Sequence, residues 1–557
     1  MESGLFQSAL VALKAGSVDV ALSKAKQLIL DDSSNAFALV LAADCFNQYG
    51  KEKEGLGLIQ AAVAASNQDP CFSLIQARQL LRLRQRDQSL ACVKSARQLH
   101  PHHAGLLLMQ FELLCLLRRY TEVRGIIDSH RTQVVKHPDF YSSVIGMYRH
   151  LGEQHVALQY AQEWCSDSSG IDALKAMADC WFAAGHHDRY VASITDASHS
   201  YPNDQNLHAL RLQAHLDASD KSNLDVLAEV KILSTQADLD PGLALVCARV
   251  LLAHSDFLHA WPLYEHRLKL SPTGLYAPVE PVSDPRGSLF NQNVLLVAEQ
   301  GVGDVLFFAR FIPQLLADAL QVVCLVDERL SALLKRCFPE LVIVTNLGLA
   351  QQLAGDGHLC LAIGSLPMRY ATTPDLVKSS QFNSALKPHS ALQRFWSESL
   401  DKNSMHIGLS LTAGLQAGSY KTDKRSVPLS VVEQLLIDSG AMVHDLQHFC
   451  PDELSLPFMR SYVRLTDDLE QLLAFISCLD ILVTSDQTNA FLAGILGVPA
   501  LVIAPPNPHF AFMAEGKITP WFDSLTIVRS STWQGWDALI PILNKEFQAL
   551  VSQVGQE

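Results

Sequence analysis

The chain has no C-x-x-C pair, no G-x-G-x-x-G and no extended run of Lys or Arg, and its second half has no D-x-D. Each absence closes a class. Twelve cysteines are scattered over apolar segments (Cys45, Cys71, Cys92, Cys115 and Cys180 among them), so neither a zinc site nor a disulfide framework is indicated. Buried reduced thiols of a cytosolic protein are the simplest reading. Without a basic run or a basic aromatic stripe, and with a formal charge of −14, nucleic acid is not expected as a partner. Apolar stretches of membrane-spanning length are also missing. The nearest, residues 106–117, is short and carries Glu112. The opening MESGLFQSAL has no basic n-region, so no signal peptide is expected.

What is present is a long, well-packed globular chain. Apolar residues make up 48% and charged residues 18% of 557, which excludes a disordered protein and calls for roughly two to four domains.

Residues 1–272 read as helix, short turn, helix, repeated. Pro70, Pro101, Pro138, Pro202, Pro241 and Pro272 recur at intervals close to one or two units of about 34 residues, the tetratricopeptide period, giving about eight units. Small residues such as Ala42, Ala43, Ala61 and Ala62 let paired helices approach. The prolines are expected to end each second helix. This is an α-solenoid, an extended concave surface for a protein or peptide. Near its end Trp261, Tyr264 and Arg267 share one helical face, read as a cap that seats the repeats on the next domain.

A Pro/Gly/Ser-rich linker, 273–290, leads to alternating strands and helices. Residues 291–400 form one α/β lobe and 401–557 a second, each expected to hold a parallel sheet covered by helices. The cleft between their strand ends is the expected site.

Three elements face that cleft. The first is Glu299-Gln300-Gly301-Val302-Gly303-Asp304, a glycine-containing turn after the apolar run 294–298. The second is the loop 412–426 with Lys421, Lys424 and Arg425. The third is the turn through Asp486, Gln487 and Thr488 into a helix. Cations and a helix N-terminus suit a diphosphate, and a carboxylate suits deprotonation of an acceptor hydroxyl. Together they describe group transfer from a nucleotide donor. Taken singly, each has a plainer reading: a tight turn, a solvated loop, or a helix cap at Asp486.

The order W-x-x-Y-E-x-R (261–267), E-Q-G-x-G-D-x-x-x-F-A-R (299–310), S-L-P (365–367), R-S-x-P-L (425–429) and D-x-x-x-A-x-L-A-G-x-L-G (486–497) resembles bacterial tetratricopeptide proteins fused to a glycosyltransferase domain. The second half is similar to heptosyltransferase-like, two-lobed GT-B enzymes, and the whole to O-GlcNAc transferase and flagellin glycosyltransferases. The resemblance implies Asp304 as catalytic base, with Glu299, Gln300, Gly301 and Gly303 shaping the acceptor side. It implies Lys421, Lys424, Arg425, Asp486, Gln487, Thr488, Asn489 and Gly494 as nucleotide-sugar contacts. It also implies an inverting reaction with no metal and no cofactor, the nucleotide-sugar being a substrate, and a protein acceptor, flagellin among the choices, held by the repeats.

One motif departs from the family's D-T-x-x-x-H-L-A-G. The threonine is Gln487 and the histidine is Phe491, which cannot donate a hydrogen bond to phosphate. Three readings follow. One is a cytosolic protein O-glycosyltransferase, with a CMP-linked donor one way to need fewer diphosphate contacts. Another is an interaction scaffold that has lost activity. The third is a transferase acting on lipopolysaccharide or another glycan.

Overall fold

The computed structural model describes residues 2–555 apart from 15–16, 50, 84, 118, 135–137, 169, 218–222, 237, 271–283, 380–385, 413–424, 448–457, 463–464 and 533–534. The chain forms two compact units, one built on Met1–Cys180 and the other on Trp181–Leu415 with Asp423–Glu557. The division falls inside the repeats, so the last hairpins belong to the same unit as both α/β lobes.

In the first unit, helices pair in sequence order: Glu2–Lys14 with Val18–Asp31, Ala36–Gln48 with Glu52–Ala65, Pro70–Arg82 with Arg86–Leu99, Ala104–Leu116 with Tyr120–Val134, and Pro138–His150 with Gln154–Asp167. Alanines make the close approaches: Ala38, Ala42, Ala43 and Ala62 are buried. The larger rings fill what remains, with Tyr141 stacked on Trp164 at 5.6 Å and Tyr148 on Tyr160 at 5.7 Å.

The prolines act differently from the expectation. Pro70, Pro138 and Pro241 open a helix instead of closing one. The first helical position needs no N–H donor and favours the fixed φ of proline. Asp69 and Asp240 complete this start, their carboxylates accepting from Cys71 N and Gly242 N at 2.8 Å. Such a cap stabilises by about 1 kcal/mol.

The second unit holds the helices His187–Ser200, Gln205–Asp217, Asn223–Leu233, Pro241–Ala253 and Phe257–Tyr264, followed by two parallel sheets. The first sheet contains β1 (Asn293–Val297), β2 (Gln321–Leu325), β3 (Val342–Val344) and β4 (Leu359–Ala362), in the order β3-β2-β1-β4. The second contains β5 (His406–Ser410), β6 (Met442–Asp445), β7 (Met459–Ser461), β8 (Ile481–Ser485), β9 (Ala500–Ala504) and β10 (Leu525–Arg529), in the order β10-β9-β8-β5-β6-β7. β5, β8 and β9 are buried along their whole length, as a sheet covered on both faces requires. β7 and β10 were not read from the sequence, although β10 carries the apolar run Leu525-Thr526-Ile527-Val528. β7 (Met459-Arg460-Ser461) is an exposed edge strand with almost no apolar signal.

Both sheets reverse strand order, between β1 and β4 in the first and between β5 and β8 in the second. Crevices for ligands open at the carboxyl ends of strands at such reversals. One continuous core joins the last hairpins to both lobes, through Trp261, Phe307, Phe491, Phe510 and Trp521.

Candidate functional site at the lobe junction

At the first reversal point, Glu299 follows β1 and reaches across to β4. Its Oε2 accepts the Ile363 N–H at 3.0 Å, and its Oε1 accepts from Arg267 Nε at 3.0 Å and Nη2 at 2.8 Å. Arg267 also donates to Glu265 Oε1 at 2.6 Å and to Ser365 Oγ at 2.9 Å. Its side chain is 7% exposed, so the two carboxylates hold its charge against burial. Gly364 leaves room for this fork: a Cβ there would lie 2.8 Å from Glu299 Oε1 and 2.9 Å from Arg267 Nη2. Trp261 donates from Nε1 to Ala371 O at 2.8 Å, and Gln300 Nε2 reaches the Tyr264 hydroxyl at 3.5 Å. The W-x-x-Y-E-x-R face therefore seats the final repeat on the first lobe, and it uses Glu299 to do so.

The helix Val302–Phe308 begins earlier than expected. Gly301 is its N-cap, and Gly303 with Asp304 lies in its first turn instead of in a loop. This lifts Asp304 off the strand end and turns it toward the second lobe. Gly303 meets Thr488 of that lobe, where a Cβ would stand 2.7 Å from Thr488 Oγ1. Asp304 Oδ1 lies 3.4 Å from His509 Nε2, both side chains half-buried.

At the second reversal point the β5 end is closed by amides. Gln487 Nε2 donates to Ser410 O at 2.6 Å and to Ser410 Oγ at 2.9 Å. Asn489 Nδ2 donates to Ser410 Oγ at 2.8 Å and to Leu446 O at 3.0 Å. Both amides thus tie β5, β6 and β8 together. Asp486 is buried, and its Oδ2 accepts the His509 N–H at 2.7 Å. Burial raises its carboxyl above the usual range, partly offset by the Arg425 charge and the His509 backbone N–H. Gly494 lets the Thr488–Leu496 helix approach Phe522, since a Cβ would meet that ring at 2.5 Å. Lys421 and Lys424 lie outside the described residues.

Phe491 takes the place of the expected imidazole and joins an aromatic junction. Its ring lies 5.3 Å from Phe307, 5.3 Å from Phe512 and 5.2 Å from His509. Arg310 is buried in the same cluster, over Phe307 at 4.6 Å and Phe522 at 4.7 Å, and donates to Trp521 O at 3.2 Å. Cation–π contacts of this kind attract a desolvated guanidinium by about 2 kcal/mol.

His509 was missed in the sequence. It sits in the loop after β9, at the carboxyl end of a parallel strand, and that position was the signal available. The loop is fixed from several sides. Asn507 donates to Asp217 at 3.2 Å, Ala514 N donates to Ala253 O at 2.9 Å, and Arg529 donates to the carbonyls of Phe512 and Met513 at 2.7 Å each. Met513 is held at φ 62° and ψ 163°, a conformation nearly restricted to glycine that costs about 1–3 kcal/mol. The site thus gathers Asp304, Thr488, Asp486 and His509, with Arg425 close enough to act on Asp486.

No family model matches the chain. Among curated proteins it is similar to Protein FlbA of Caulobacter vibrioides, at 24% identity over 326 residues, covering 52% of this chain and 52% of FlbA. The chain thus matches about half the length of that relative. Among solved structures it is similar to E. coli ADP-heptose lps heptosyltransferase II (14% identity, 47% of this chain, 99% of that one, TM-score 0.33). It is also similar to a glycosyl transferase family 9 protein from Veillonella parvula (9%, 48%, 98%, 0.32) and to a tetratricopeptide repeat protein from Parabacteroides merdae (14%, 47%, 91%, 0.30). Among the described residues, no helix is long and apolar enough to cross a membrane.

Proposed function

We propose that the chain is a glycosyltransferase of the GT-B type, moving a sugar from a nucleotide-sugar to a hydroxyl of a protein acceptor held by the repeats. The observation that supports this reading is the placement of Asp304 at the lobe junction, 3.4 Å from His509 of the opposite lobe and beside Gly303, which packs on Thr488. Asp304 takes the proton of the acceptor hydroxyl. The hydroxyl oxygen bonds to the anomeric carbon as the bond from that carbon to the phosphate oxygen breaks. The electron pair leaves with the nucleotide, and attack from the face opposite the leaving group inverts the anomeric centre. Arg425, with Lys421 and Lys424, neutralises the leaving phosphate without a metal. Serine or threonine of a surface protein such as flagellin is the proposed acceptor, on the resemblance set out above.

A second reading, a scaffold without activity, is favoured by one feature. Gln487 and Asn489 are already bonded to backbone and Ser410, and Phe491 offers no donor. Thermal-shift binding of UDP, GDP, CMP and ADP separates the two. A nucleotide at a hundred times its dissociation constant stabilises by about 2.7 kcal/mol. A single stabilising nucleotide whose effect is lost in Arg425→Ala supports the transferase. Silence from all four supports the scaffold.

A further inference from the structure

His509 enters the lobe junction between two carboxylates. Its backbone N–H binds Asp486 Oδ2 at 2.7 Å, and its ring Nε2 lies 3.4 Å from Asp304 Oδ1. Its Nδ1 accepts the Ala511 N–H at 3.2 Å and so caps the short helical turn Phe510–Phe512. A neutral imidazole whose Nδ1 accepts must carry its proton on Nε2. That nitrogen stands 3.4 Å from Asp304 Oδ1, an ion-pair separation short of a formed hydrogen bond. The ring is braced on both sides, 4.1 Å from Phe510 and 5.2 Å from Phe491 between centroids. The loop beneath it is tied to two repeat helices through Asn507–Asp217 and Ala514–Ala253.

We infer that His509 is the positioning residue for Asp304: a neutral imidazole in the Nε2–H form that holds the carboxylate of the opposite lobe in line with the acceptor hydroxyl. This rests on the transferase reading. The hydroxyl proton goes to Asp304, while His509 keeps its own proton and supplies a hydrogen bond to the carboxylate before transfer. The 3.4 Å separation is long for such a bond, and catalytic hydrogen bonds commonly tighten once substrate is bound. The ring is thus anchored, through its loop, to repeat helices of the same unit.

The plainer role for His509 is that of a cap alone, and two substitutions separate the two. His509→Asn keeps an acceptor where Nδ1 stands and so keeps the cap, but has nothing at the Nε2 position. His509→Gln places an amide N–H where Nε2–H stands and gives up the cap. Nucleotide release from UDP-glucose, GDP-mannose, ADP-glucose and CMP-sialic acid, with water as acceptor, gives the rate on the full chain. For the donor that is turned over, the inference expects kcat of His509→Asn to fall by about a hundredfold at little-changed KM, the size of effect that misplacing a reacting group produces. It expects His509→Gln to recover most of that loss. An active Asn variant with an impaired Gln variant overturns the inference in favour of the cap.

A second measurement needs no donor. In the full chain labelled with 15N at histidine, the His509 ring should show a protonated Nε2 whose resonance moves in Asp304→Asn. A ring protonated on Nδ1, or an Nε2 signal indifferent to Asp304→Asn, overturns the pairing. If the unmodified chain released no nucleotide while this signature was present, the transferase reading would fail and the pairing would stand.

Discussion

Gly303 and Thr488 meet face to face across the lobe junction, so closely that a Cβ on the glycine would lie 2.7 Å from the threonine Oγ1. The glycine is therefore a packing requirement as well as part of a turn. Gly303→Ala is expected to destabilise the second unit by about 1–3 kcal/mol, the range for overpacking. Thr488→Ala removes the obstructing oxygen, so the double variant should recover most of that loss. Urea midpoints for the four chains of this cycle give the coupling.

Arg267 is held by Glu265 and Glu299 with little exposure. Removing one partner leaves a buried charge uncompensated, which costs about 3–5 kcal/mol. Arg267→Ala and Glu299→Ala should each destabilise by that order. Arg267→Lys should not restore the wild-type value, because one ammonium cannot reproduce the forked contacts. Chemical denaturation followed by tryptophan fluorescence reads this directly, since Trp261 lies in the same junction.

Burial, with His406 and Arg460 adding, holds the His444 imidazole down at about 4 from its ordinary 6.5. Its two nitrogens meet His406 Nδ1 at 2.9 Å and the Tyr462 hydroxyl at 2.8 Å. The unfolded chain takes up this proton first as pH falls. The contribution to stability is therefore complete above about 6.5 and is lost toward about 4, a change of the order of 3 kcal/mol. His444→Gln should flatten the pH dependence of the urea midpoint within that window, and an unchanged slope would contradict the assignment.

The last hairpins share a core with both lobes. A chain begun at His187, the first residue of the helix after the division, is expected to fold and unfold in one transition. A chain begun at 291 loses Trp261 and Arg267 and is expected to aggregate or lose its near-ultraviolet circular dichroism. Scanning calorimetry of the two truncations tests this.

Much of the fold was legible because its signals are local. Period and small-residue spacing gave the hairpins, and short apolar runs gave eight of the ten strands among the described residues. The Trp261, Tyr264 and Arg267 face was readable as a seat because three large side chains at helical spacing need a partner. What was not legible depended on contacts between distant segments. Glu299 looked like a site residue until Arg267, from another element, was seen to take its oxygens. Gln487 and Asn489 likewise turn to Ser410 and Leu446, which lie far off in sequence. His509 carried no motif at all, and only the loop's fixing by Asp217, Ala253 and Asp486 brings it to Asp304.

Asp304 is the proposed base of a nucleotide-sugar transferase. The most direct test is the release of nucleotide from the donor whose nucleotide stabilises the chain, compared between wild type and Asp304→Asn. Turnover by the variant is expected to fall by about a hundredfold or more, with nucleotide binding unchanged, as for loss of a general base. Equal turnover by the two chains would contradict that role.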